Sequence, residues 1–200
     1  MMLSTHVLAG LALALPVVAV APELAPAALV AGALGGAVPD LDMYAGHRQT
    51  LHFPVYYSIL AVPAAAVALL VPTALTVALA VGVAAAAAHC LMDVFGGGLE
   101  LRPWEGSSTR AVYDHYNGRW VAPRRLIRYD GAPEDLVLAS GFAVPAIVWL
   151  DGPAITLVAA LLSISLVYVL LRKWLADLAP TVFSKVPGPV EEYVPERYLQ

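Results

Sequence analysis

The 200-residue chain is 60% hydrophobic and 13% charged, with a mean hydropathy of +0.75, against about 45–50% apolar and about 25% charged in soluble domains. So few charges could not cover a soluble core of this size, which points to an integral membrane bundle instead. The net charge of −4 gives no reason to expect nucleic acid as a ligand, and the single cysteine, Cys90, excludes an internal disulfide and any cysteine-cluster metal site.

The predicted fold class is all-α: a polytopic membrane helix bundle with an N-terminal short helical hairpin and a cytoplasmic loop subdomain. Met1 to Ala21 is apolar and ends in Ala19-Val20-Ala21, but no Lys or Arg precedes the apolar run, so it is read as mature sequence rather than a signal peptide. Helices over 3–20 and 25–36, joined at Ala21-Pro22-Glu23, are each short for a core of about 30 Å. A tight hairpin would return Pro39 to the side where the chain began. Phe53 to Val71, kinked at Pro63, and Thr73 to Phe95 are the next two spans, and Gly96-Gly97-Gly98 ends the second.

Residues 1–98 thus form a helical membrane region that holds the candidate metal site. Residues 99–135 change character, with six Arg and six acidic residues, and read as a water-exposed, Arg-rich loop or subdomain. Residues 136–179 form a C-terminal transmembrane pair that Arg172-Lys173 is expected to stop, and 180–200 an extended acidic tail. The positive-inside rule places Arg172-Lys173, the 99–135 loop and the Arg48 segment in the cytoplasm.

The stretch Pro39 to His52 stands out in this apolar chain, because it packs Asp40, Asp42, His47, Arg48 and His52 into fourteen residues. His89 and Asp93 lie four apart on a helix and so share one face, and ionisable groups near a bilayer are rare and usually functional. Asp40 and His52 are the ligand candidates from the first stretch. Asp42 is read equally as a ligand, as a carboxylate orienting a ligand, or as a turn-stabilising residue. His47 and Arg48 suit substrate contact, as an acid/base and an anion-binding guanidinium. His6 joins the set if the hairpin folds back. Two His and two Asp suit Zn²⁺ or another borderline divalent ion.

Thr5-His6, Pro39-Asp40-Leu41-Asp42, His47-Arg48-x3-His52 and His89-x3-Asp93, followed by glycines and Pro103, resemble the membrane-bound metal-dependent hydrolases of the YdjM type. These are also called LexA-binding, inner-membrane-associated hydrolases. The resemblance covers about residues 1–104. That family is distantly similar to the zinc-dependent phospholipase C and P1 nuclease group. It implies Asp40, His52, His89 and Asp93 on the principal metal and His6 at a second. No His-plus-Glu set follows Asp93 to complete a three-zinc site; His115, Glu100 and Glu105 lack diagnostic spacing, so one or two ions are expected.

The expected function is a membrane-embedded, metal-dependent hydrolase of phosphoester bonds in a lipid or membrane-proximal substrate. Activated water would attack, with Arg48 and Arg102 meeting the phosphate. The alternative is a non-enzymatic membrane protein whose structural metal or polar cluster recruits a protein partner through the 99–135 loop. A transporter fits less well, since transporter sites usually lie near mid-membrane. His-Glu-x-x-His, Gly-x-Ser-x-Gly and Pro-Ser-Gly-His patterns are all missing.

Overall fold

The computed structural model describes residues 1–188 together with Val194, Pro195 and Tyr198. Six helices account for most of it: α1 (Leu3–Val20), α2 (Ala25–Ala37), α3 (Pro54–Leu70), α4 (Ala74–Val94), α5 (Pro133–Trp149) and α6 (Gly152–Phe183). A short antiparallel hairpin, β1 (Val112–Asp114) and β2 (Arg119–Val121), lies between α4 and α5 and pairs Tyr113 with Trp120. The fold is therefore mostly helical, with the hairpin as its one sheet among the described residues.

The N-terminal hairpin forms because small residues let its helices touch. A Cβ on either Gly10 or Gly32 would collide with the other's carbonyl, so α1 and α2 cross in backbone contact. Gly36 meets the His6 carbonyl in the same way. Close approach of this kind drives helix association in lipid, where burial of apolar surface supplies little force. The Ala-rich face of α4 (Ala85, Ala86, Ala87) is buried for the same reason. On the other side of α1, Ala139, Ala143 and Ala146 of α5, spaced at helical intervals, pack with Leu8, Leu11, Leu15 and Val158 in the main apolar cluster.

Among the described residues, four helical stretches are long and apolar enough to cross a membrane: Leu3–Val20, Pro22–Tyr44, Ala74–Val94 and Gly152–Phe183. Their outer faces are bare hydrocarbon; Val20 of α1, Leu75 of α4 and Leu170 of α6 are each more than two-thirds exposed.

Three expectations need correction. The second arm of the N-terminal hairpin is longer than expected, because 3-10 turns extend α2 through Pro39 to Tyr44. Pro39 costs the α-helix a backbone donor, but at the start of a 3-10 segment it is tolerated. Arg172-Lys173 does not stop α6, which runs on to Phe183. Both residues are good helix formers, and Arg172 is buried against Asp130 rather than exposed at an end. The expected extended tail accordingly begins later, since Pro180 to Phe183 are helical; residues 189–193, 196–197 and 199–200 lie outside the described residues.

Candidate metal centre

Three segments meet at one end of the bundle: the start of α1 with His6, the turns and loop after α2 from Asp40 to His52, and the last turns of α4 with His89 and Asp93. One ligand atom from each of Asp40, His52, His89 and Asp93 lies within 4.8 Å of the other three. Asp93 Oδ2 is 3.4 Å from His52 Nε2 and 3.6 Å from His89 Nε2, while Asp40 Oδ1 is 3.5 Å from His89 Nε2 and 3.9 Å from His52 Nε2. A tetrahedral site with bonds of about 2.0–2.2 Å has edges of about 3.3–3.6 Å. The four atoms thus enclose the space of one such ion with only small adjustment.

The hydrogen bonding of these atoms supports the fit. His52 Nε2, His89 Nε2 and Asp93 Oδ2 are buried and have no hydrogen-bond partner. Each orphaned group of this kind costs about 1–3 kcal/mol, and one cation among them would satisfy all three. Helix spacing puts His89 and Asp93 on one face, so α4 alone supplies half of the set.

The opposite edges of the imidazoles are fixed. His89 Nδ1 donates to the Gly36 carbonyl at 2.8 Å, and His52 Nδ1 to Asp42 Oδ2 at 2.9 Å. Each bond selects the tautomer that leaves the Nε2 lone pair facing the centre. Without an ion, burial opposes a charge on His52, but the neighbouring Asp42 and Asp93 carboxylates outweigh it and raise its pKa above the ordinary imidazole value, so an ion binding at Nε2 must displace a proton.

Asp42 resolves into an organising role. Besides His52 it accepts from the backbone N–H groups of Arg48, Gln49 and Leu51 and from His47 Nδ1. Both of its oxygens are committed to the loop, and neither belongs to the group of four. This bonding holds Arg48 in the left-handed region, at φ 60°. The β-hairpin closes over the same turn, with Tyr113 N–H donating to the Arg48 carbonyl and His115 Nε2 to that of Gln49. His115 is thereby a loop fastener.

His6 sits directly behind the group. Its ring stacks on His89 with centroids 3.7 Å apart, and its Nε2 donates to Asp93 Oδ1 at 3.1 Å. It is not one of the four residues whose ligand atoms converge. The Met1 amino group is on the same Asp93 oxygen, at 2.6 Å. Arg48 is buried with its Nε 3.2 Å from Asp93 Oδ2, and its Nη1 donates to the Gly97 carbonyl. His47 lies on the outer side of Asp42. A cavity of about 460 Å³ begins beside Asp40, His47 and Arg48.

Arg102 is elsewhere: exposed, it pairs with Asp177 on α6 at 3.0 Å and does not line this cavity. Glu100 meets the Ser108 N–H, and Glu105 lies near Arg102. Cys90 is fully buried and unbridged, as a small apolar side chain would be.

Two contributors escaped the sequence. Gly36 acts through its carbonyl, which leaves no trace in residue type. Arg172 marked a membrane end in the sequence, whereas in the fold its guanidinium is fixed by Asp130 on the cavity wall. Its position within an apolar helix was the available signal. No family model, curated protein or solved structure matches the chain, so its internal geometry carries the functional argument.

Proposed function

We propose that this chain is an integral membrane, metal-dependent hydrolase that cleaves phosphoester bonds at the end of the bundle where α1 begins and α4 ends. The observation that carries the reading is the convergence of Asp40, His52, His89 and Asp93, three of whose facing atoms are buried without a hydrogen-bond partner, Asp93 Oδ2 meeting only the Arg48 guanidinium at 3.2 Å. Two imidazoles and two carboxylates suit zinc, with the His52–Asp42 pair as the supporting carboxylate–histidine arrangement. An ion held there would supply Lewis acidity and an acidified water.

The protein's own groups would do the rest. Arg48 stands between Asp93 and the cavity, where its guanidinium can meet phosphate charge. His47, oriented by Asp42, can deliver a proton to the leaving oxygen. The burial of His52, His89 and Asp93 lowers the local dielectric and strengthens these interactions. The motif resemblance to the membrane-bound metal-dependent hydrolases agrees with this reading. The Arg-rich 99–135 segment supports a cytoplasmic orientation of this end, which labelling of a cysteine placed at exposed Asn117 with an impermeant maleimide would check.

The test is elemental analysis of purified protein after loading with zinc, alongside hydrolysis of bis-p-nitrophenyl phosphate. Wild type should retain stoichiometric ion and hydrolyse the ester, and Asp93→Ala should do neither. Absence of any divalent ion from loaded wild type would end the proposal. A second reading, a structural polar cluster without catalysis, draws on the Arg48–Asp93 ion pair, which neutralises one carboxylate within the protein. Retained metal and chelator-sensitive stability with no hydrolysis of any phosphoester would favour it.

A further inference from the structure

The cavity beside Asp40, His47 and Arg48 extends well beyond them; of the four converging residues, Asp40 alone lines it. On α6 it is lined by Leu161, Ile164, Tyr168, Arg172, Leu175 and Ala176, one face of the helix over about 22 Å of axis. The facing wall is the start of α1, from Met1 to Val7. A bond between Ser4 Oγ and Ser165 Oγ, 2.7 Å long, fixes the relative level of the two helices. Leu161 and Ile164 therefore lie alongside Ser4 to Val7, inside the spanning part of both helices, while Tyr168 and Arg172 lie at the level where α1 starts.

The slot is thus graded along its length. Its inner part is lined by Val7, Leu161 and Ile164 with no charged group. The charged groups Asp40, Arg48 and the Asp130–Arg172 pair, with His47, all fall in its outer part, among the apolar Met43, Leu175 and Ala176. Arg172 is locked by two bonds to Asp130 and one to the Leu101 carbonyl. Arg48 places its Nε 3.2 Å from Asp93 Oδ2, on the side of the ligand atoms that meets the cavity. The inner wall is also open sideways, because Ile164 is 61% exposed on the outer surface of the bundle. A wholly polar, water-borne phosphoester would have no use for this apolar extension. A volume of about 460 Å³ is within the range of about 300–1,000 Å³ typical of ligand sites.

We infer that the slot between α1 and α6 receives the apolar chain of the substrate. This rests on the proposed hydrolase reading and names its substrate class: an amphiphile with a phosphate-bearing head and an apolar chain, entering laterally from the bilayer. The head comes to rest at Arg48 and His47 beside the metal ligands, and the chain lies along Leu161 and Ile164. Anchoring the chain fixes the distance of the phosphoester from the centre, a gain in orientation unavailable to a short soluble ester.

The experiment uses the full chain in detergent, loaded with zinc. The probes are a phosphate monoester with a fluorescent single alkyl tail, read by anisotropy, and the tailless bis-p-nitrophenyl phosphate, read by hydrolysis. Ile164→Trp fills the slot from its exposed edge. Val137→Trp, on the exposed face of α5, is the control for an added indole. Metal stoichiometry reports that each variant is folded. Ile164→Trp should weaken binding of the tailed phosphate by about tenfold or more, equivalent to about 1.4 kcal/mol, while metal content and tailless hydrolysis stay at wild-type level and Val137→Trp changes nothing. Equal binding of the tailed phosphate by metal-loaded wild type and Ile164→Trp would overturn the inference while leaving the hydrolase reading intact. Tail binding that depends on Ile164 without hydrolysis of either ester would sustain the slot and remove the hydrolase.

Discussion

Replacing Asp42 by Asn tests whether the centre depends on a residue that never faces the ion. Asp42 Oδ2 accepts from His52 Nδ1 and the N–H groups of Gln49 and Leu51, and Oδ1 from His47 Nδ1 and the Arg48 N–H. An amide can keep only one oxygen. Its better orientation preserves the three bonds at Oδ2 and turns an NH₂ group toward two donors. Leaving one or two donors unmatched costs about 1–3 kcal/mol each, so the metal-free protein should lose about 1–6 kcal/mol of stability. Losing the carboxylate behind a ligating His typically lowers metal affinity by about 10–100-fold. Competition against a chromophoric zinc chelator in detergent would measure the affinity, and thermal unfolding the stability. His47→Ala, which leaves the Asp42–His52 bond in place, should bind zinc within about threefold of wild type. Unchanged affinity in Asp42→Asn would refute the organising role, and a loss as complete as in Asp93→Ala would make Asp42 a ligand.

Arg48→Ala should separate binding from turnover. With the guanidinium 3.2 Å from Asp93 Oδ2 removed, zinc should bind at least as tightly as in wild type, while phosphoester turnover falls by about a hundredfold or more; a parallel loss of both would show that Arg48 is needed to build the site. Gly36→Ala should weaken zinc binding, because its Cβ would meet the His6 carbonyl and push α2 from α1, displacing the carbonyl that holds His89 Nδ1. Overpacking of this kind costs about 1–3 kcal/mol, and a thermal midpoint and zinc affinity equal to wild type would contradict it. The Asp130–Arg172 pair predicts a pH dependence. Burial opposes ionisation of Asp130, but the Arg172 guanidinium outweighs it and holds the carboxyl below its usual range. A depressed pKa in the folded state contributes stability above the unfolded value of about 3.9, lost as pH falls through the folded value. The difference in thermal midpoint between wild type and Asp130→Asn should therefore stay level from about pH 5 to 8 and shrink below about pH 4; a difference that vanishes by about pH 6 would contradict the assignment.

Much of the site was legible because its signals are local. His89-x3-Asp93 needs only a helix to put both side chains on one face, and Thr73 to Phe95 carries that helix in its composition. Asp40 and His52 were marked by polar residues in an apolar chain. The end of α6 was misread because Arg172 looked like an interfacial charge, and only a partner 42 residues away in sequence, Asp130, reveals it as buried. Arg102 was a plausible phosphate contact by charge alone, but Asp177 holds it away from the cavity.

The sequence by itself determined the chemical class of the chain: a hydrocarbon-rich helical bundle, the glycines and alanines that let its helices touch, and the residue types of a divalent-metal site. These follow from additive, short-range properties such as transfer free energy, side-chain volume and helical period. The tertiary structure decided which polar groups face the centre and which stand behind it. Asp40 and Asp42 are two residues apart and chemically identical, yet one carboxylate points at His89 while the other gathers the loop through five hydrogen bonds. That difference of a few ångströms is set by the positive φ of Arg48, the hairpin over it and the packing of α2 on α1 at Gly36. It depends on contacts between distant segments, which residue order does not encode locally.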